Sequence, residues 1–291
     1  MKEYIAIAIF AITHTLIVGR IRFKVPIWAA MLIGATLMLA FQIIGLEGAI
    51  KSIQLDVIMF LFGMFSIVSA LEKSGVLKWL SIKMLSKAKT PNSLLLMFVV
   101  GMGLLAAFLV NDAIALIGIP LVIYISKHIG IKPNVFLIAL AFGVTVGSVM
   151  TPIGNPQNLL IALQSGIALP LVNFIKFLAL PTVINLFLTF FILKIYFKKD
   201  LVHAHTALNS VTLENYTIED CRLAKLSVAI WVVTIAVFFV SEILQFMHLA
   251  DIRISIVAMA GAAALHALSD KRRDIAKGVY YTVLVFFVQC L

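Results

Sequence analysis

GSVMTPIGNPQNLLIA (147–162) is unlike the sequence around it. Two prolines, two glycines, two asparagines and a glutamine interrupt a chain that is 63% hydrophobic and 12% charged. Pro152 and Pro156 withhold backbone donors and obstruct the preceding turn, and Gly154 opens dihedrals that other residues resist. A helix arriving here must break. Unpaired backbone groups in lipid cost several kcal/mol each, so breaks survive only where they line protein or a watery cavity. The carbonyls freed over 151–158, with the amides of Asn155, Gln157 and Asn158, are therefore candidate ligand groups. The helix resuming near Leu159 points its N-terminal dipole at them, which favours an anion.

A soluble domain cannot hide this much apolar surface, since about half apolar is already typical. The mean hydropathy is +1.12 over 291 residues, and apolar runs of bilayer-crossing length recur. The reading is an all-α polytopic membrane protein at the plasma membrane, with lipid as its first partner. Spans are expected at 4–19, 25–46, 53–71, 134–163, 170–196, 223–246, 252–268 and 279–291. The first lacks a basic flank and a small-residue cleavage site, so it reads as a retained span rather than a signal peptide. Residues 76–90 alternate apolar side chains with lysines at helical spacing, which suits an interfacial helix. Cys221 and Cys290 are too few for a disulfide framework or a metal site. His203 and His205 fall in a polar loop and read as solvated.

The formal charge of +10 raises nucleic acid as a partner, but the bases sit in short loops between apolar runs. With the N-terminus outside, loops 20–24, 72–92, 127–133, 194–225 and 269–278 face the cytoplasm. Only Lys2, Lys51, Lys176 and Arg253 of the 23 basic residues then remain outside. The positive-inside rule accounts for that distribution without a nucleic-acid surface.

The chain also resembles itself. MLIGATLMLAFQ (31–42) is matched by AMAGAAALHALS (258–269), and LDVIMFLFGMF (55–65) by YTVLVFFVQCL (281–291). Five spans precede the second copy, so it runs inverted, as in secondary transporters. The expected organisation is a first inverted repeat over 1–200, a cytoplasmic linker over 201–222 and the start of a second repeat over 223–291. That second copy stops inside its third span. The expectation is a fragment that conducts no flux until a homodimeric partner or a separately encoded second half completes it.

Between the third and fourth spans, apolar arms 93–110 and 113–126 are joined by Asn111-Asp112, either of which can cap the second arm. An ionisable group at membrane depth costs at least about 2.5 kcal/mol and is by default functional. A coupling cation, Na+ or H+, is the natural partner of Asp112. The bland alternative is that both arms span and Asp112 is a loop cap outside the membrane. Gly143 and Gly147, four apart, suit close helix packing, and Asp56 reads as a helix cap at the outer interface.

The two stretches NDAIALIGIPLVI (111–123) and GSVMTPIGNPQNLLI (147–161) together resemble the ion-transporter superfamily of arsenite permeases, citrate transporters, NhaD-type antiporters and divalent-anion symporters. The resemblance is closest to the anion-permease, citrate-transporter-like branch. It implies inverted repeats, each with a re-entrant hairpin and a broken helix meeting at mid-membrane. The hairpin would be 93–126 and the broken span 134–163, with Asn111, Thr151, Gly154 and Asn155 near ion or substrate. The symporters' Ser-Asn-Thr tip is replaced by Asn-Asp. The leading functional reading is a secondary transporter for a small anion or oxyanion, with no enzymatic activity and no cofactor beyond the coupling ion. An aquaporin-type channel would need a second Asn-Pro-Ala, which does not occur, and an intramembrane enzyme a His-Glu metal pattern or a Ser/Lys pairing near the breaks, which is absent there. A non-transporting partner subunit is the remaining alternative.

Overall fold

The computed structural model describes residues 2–202, 218 and 220–279. The span 279–291 beyond Val279, its match to 55–65, most of the 201–222 linker, His203 and His205 lie outside the described residues. Among the described residues the regular structure is helical throughout. The chain is an all-α polytopic membrane protein: five helices are long and apolar enough to cross a bilayer by length and composition.

Two shorter helices come first, α1 (Lys2–Val18) and α2 (Ile27–Ala40). They pack on one another, with Gly34 of α2 seated on the Thr13 side chain. Helix α2 is shorter than the expected 25–46 span. Pro26 stands at its N-cap, and Gln42 at φ 52° ends the helical run just past Phe41.

Helix α3 (Leu55–Lys73) is the central column. Every residue from Gly63 to Leu71 is buried, so the helix is enclosed on every side there. Numbering on, α4 (Val76–Leu85) buries Leu77 and Ser81 and leaves Lys78 and Lys83 exposed, with the Lys83 ammonium 4.4 Å above the Trp79 ring. It ends before the expected Thr90, because Thr90 instead caps the next helix in a capping box with Ser93.

That next helix is α5 (Pro91–Leu109), interrupted by a π-helical turn over Met97–Gly101. Helix α6 (Asn111–Ile129) returns beside it, and α7 (Pro133–Met150) packs against both. Glycines allow this approach. A Cβ on Gly103 would stand 2.7 Å from the Gly143 carbonyl oxygen, one on Gly143 2.6 Å from that of Val99, and one on Gly147 would overlap Gly103. Phe98 and Phe136 fill the wider part of the seam with ring centroids 5.3 Å apart. After the break come α8 (Pro156–Gln164), α9 (Pro170–Tyr196), α10 (Cys221–Phe246), α11 (Ile254–Leu268) and α12 (Arg272–Lys277). Helices α10 and α11 join α3: Gly63 meets Ala258 backbone to backbone, and Phe60 lies 5.9 Å from Phe238. Two packed groups result, α3-α10-α11 and α5-α6-α7, with α9 against both.

The fold has two ends. At one, Asp56 receives Arg253 at 2.7 Å and Ser255 at 2.6 Å. Asp56 thus ties α3 to α11 rather than capping its own helix, whose N-cap is Gln54. At the opposite end Arg222 pairs with Asp270 at 2.7 Å, Lys271 with Asp220 at 2.9 Å, and Ser69 donates to the Ile275 carbonyl at 2.9 Å. The lysines of α4 and the Arg272-Arg273 pair lie at this second end. Helix α5 enters from it and α6 returns to it.

Candidate functional site

The site lies where the turn between α5 and α6 meets the break between α7 and α8. Helix α5 ends because Val110 adopts φ 66°, ψ 124°, a conformation a β-branched residue rarely takes. The reversal aims the backbone N–H of Asn111 at the Gly154 carbonyl, 2.9 Å away. Alongside it, the Thr151 hydroxyl donates to the Ala107 carbonyl. The hairpin tip is thereby tied to the break by main chain and side chain. Nine-residue α8, about 13 Å long, and a short loop separate this point from Leu171 at the first end.

The break runs over 151–155, and the helix resumes at Pro156 rather than near Leu159. Proline suits the first helical position because its missing donor would have had no partner there. Asn155 is the N-cap: its side-chain oxygen accepts from the Asn158 N–H at 2.8 Å. Gly154 has to be glycine, since a Cβ there would run into the Ser148 carbonyl.

The amides do not all face a ligand. Asn155 Nδ2 donates to the Ser148 hydroxyl at 3.1 Å and to its carbonyl at 3.3 Å. Asn158 Nδ2 donates to the carbonyls of Val149 at 3.0 Å, Thr151 at 3.1 Å and Ser148 at 3.3 Å. These are the carbonyls the break frees, so both asparagines close it from within. Buried polar groups need such partners. Gln157, the exposed residue in the first turn of α8, is the amide that faces outward.

At the tip, neither Asn111 nor Asp112 is the N-cap. Val110 holds that position without a side-chain cap, and the Asn111 side-chain oxygen takes the N–H of Asp112 at 2.9 Å. The Asp112 carboxylate is half-buried and makes no hydrogen bond or ion pair within the described residues. The structure therefore brings Asn111, Thr151, Gly154 and Asn155 into one bonded cluster, sets Asp112 beside it, and puts Asn158 inside the break and Gln157 on its surface. Two groups escaped sequence reasoning. Ser148 is the acceptor hub of the break, and its only signal was a hydroxyl three residues before Thr151. Trp231, 123 residues beyond Phe108, donates its indole N–H to the Phe108 carbonyl at 3.3 Å.

Comparison with known sequences supplies the class of protein, a membrane transporter. The profile described as citrate transporter (CitMHS) matches residues 8–290. The chain belongs to the citrate transporter family. Three relatives illustrate its range. The Dictyostelium discoideum transporter arsB is 30% identical over 62% of this chain and 32% of its own length. The silicon efflux transporter LSI3 of Oryza sativa subsp. japonica is 32% identical over 52% of this chain and 30% of its own. The 46 kDa membrane protein of Mycobacterium leprae is 27% identical over 97% of this chain and 65% of its own. The chain thus spans between about a third and two thirds of the length of these curated relatives.

Proposed function

We propose that this chain carries the ion and substrate site of a secondary active transporter that moves a small anion or oxyanion by alternating access, coupled to Na+ or H+. The observation that carries the reading is the bond from Asn111 N–H to the Gly154 carbonyl. It joins the N-terminal ends of α6 and α8, and two helix N-termini at one point make a favourable place for negative charge. Asp112, one residue into α6, supplies the counter-charge a coupling cation needs. The Thr151 hydroxyl oxygen is a hard donor of the kind Na+ takes at broken helices.

The names of the family and of one relative cover citrate and silicon, and the sequence resemblance adds arsenite. These define the test set. Binding of radiolabelled citrate, arsenite and silicic acid to the purified protein is measured over a range of Na+ concentration and pH. Saturable binding of one of them, strengthened by Na+ or by acid and made cation-independent by Asp112→Asn, is the expected result. Absence of saturable binding by all three, or unchanged cation dependence in Asp112→Asn, would sink the reading.

Orientation belongs to the same proposal. The end carrying the α4 lysines and Arg272-Arg273 faces the cytoplasm of the plasma membrane, with the N-terminus outside. A cysteine at position 83 that reacts with an impermeant thiol reagent added to intact cells would reverse it.

A further inference from the structure

The last carbonyls of a helix have no partner within it. Two of these end α5 at the hairpin tip, and they are answered from opposite sides. Ala107 receives the Thr151 hydroxyl from the break, and Phe108 receives the Trp231 indole N–H from α10 at 3.3 Å. Trp231 is half-buried near the middle of α10. An indole N–H is a donor only, so at membrane depth it needs an acceptor as much as the carbonyl needs a donor. Helix α10 otherwise packs with α3, α9 and α11, where Phe238 meets Phe60 and buried Leu223, Ser227 and Thr234 line its inner side. The bond from Trp231 therefore reaches from one packed group directly to the tip of the other.

Position in the chain gives that bond its leverage. Phe108 precedes Val110, the residue whose positive φ turns the chain, by two positions. Asn111 and Asp112 follow at once. Moving the Phe108 carbonyl shifts the start of α6, and with it both the N–H bound to Gly154 and the Asp112 carboxylate. At 3.3 Å the bond is slightly longer than the ordinary range, so it can be released without breaking a strong contact.

We propose that Trp231 is a positioning residue of the site, holding the hairpin tip in register with the break and linking α10 to the ion- and substrate-binding groups. This rests on the reading of tip and break as that site. It assigns Trp231 no contact with the transported species.

Trp231→Phe keeps a ring and deletes the donor. Backbone hydrogen exchange, followed by mass spectrometry on the whole protein, is compared in peptides covering 104–114, 148–158 and 58–70. The first two should exchange about fivefold faster, the equivalent of one ordinary hydrogen bond, while 58–70 is unchanged. Phe238→Leu, a core change on the same helix, should lower the melting temperature without this selective effect at the tip. The Kd of whichever anion binds the wild type should rise by a similar factor in Trp231→Phe. If that variant does not fold, benzothienylalanine at position 231, with sulfur in place of the N–H, takes its place. Equal acceleration in all three peptides, or none at 104–114, overturns the proposal and leaves Trp231 a packing residue. Exchange needs no ligand, so failure of every anion to bind would sink the proposed function while the exchange result still decided this one.

Discussion

The buried carboxylate of Glu242 accepts the backbone N–H of Leu171 at 2.6 Å and reaches that of Val172 at 3.4 Å. An acid near the C-terminal end of α10 thus caps the start of α9, across 71 residues of chain. Negative charge at a helix N-terminus is favourable, and those N–H groups have no other partner within their own helix. Glu242→Ala should destabilise the protein by about 1–3 kcal/mol, with Glu242→Gln losing less because it keeps a carbonyl acceptor. Melting curves of the three proteins in one detergent check the order. Superimposable curves would mean the cap contributes nothing.

The glycine seam gives a second expectation. Gly147→Ala would place a Cβ into the Gly103 backbone and prise α7 from α5, at about 1–3 kcal/mol for overpacking. A Cβ on Gly45 meets nothing within 4 Å, and its φ of −77° suits any residue. Gly45→Ala should therefore melt within a degree or so of wild type, a surface change of the near-neutral kind. Equal losses in both would refute close approach at Gly147.

Asn158 and Gln157 are adjacent amides with opposite expectations. Asn158→Ala leaves the carbonyls of Ser148, Val149 and Thr151 short of a donor and should cost about 1–3 kcal/mol. Gln157→Ala should leave the melting temperature alone and weaken anion binding. Finding stability loss at Gln157 and none at Asn158 would invert the assignment of roles. Asn155→Ala belongs with Asn158, so a loss of binding there has to be read against its melting curve.

Asp220 sets a pH dependence. The Leu223 N–H, then the hydrogen bond from Lys271, hold its carboxyl below the usual carboxylate range. A depressed folded-state value means that its stabilising contribution is present above the unfolded value of about 3.9. It fades as pH falls through the lower folded value. Asp220→Ala should melt below wild type at pH 7, by about the 1 kcal/mol of a lost N-cap. The gap should narrow as the pH is taken below 4, and a gap of constant size would show that the carboxylate charge plays no part.

Local chemistry was legible in the sequence, and long-range pairing was not. The Pro152-Gly154-Pro156 pattern announced a break, Asn111-Asp112 announced a tip, and the structure bonds Asn111 to Gly154. Gly143 and Gly147 read correctly as packing residues. Asp56 was read as a cap because position in a helix is visible in one dimension, while Arg253, 197 residues away, is not. Trp231 and Glu242 were missed for the same reason. Asn155 and Asn158 looked like ligand donors because an amide count says nothing about which way an amide points. Their targets, the carbonyls of Ser148, Val149 and Thr151, exist only once the chain has folded back.

The π-helical turn at Met97–Gly101 has a consequence for how α5 tolerates insertion and loss. Such a turn holds one more residue than the α-helical equivalent, and one residue is worth about 100° of rotation at 3.6 per turn. The segment Pro91–Leu96 meets α9, and Met102–Leu109 presents Gly103 to α7. Deleting one residue between Met97 and Gly101 would make the arm a regular α-helix and leave Gly103 facing Gly143, because the turn already absorbs that residue. Inserting one there has no such slack and would swing Gly103 about 100° away from the seam that only glycine fits. This arm can therefore lose a residue at the π turn more easily than it can gain one.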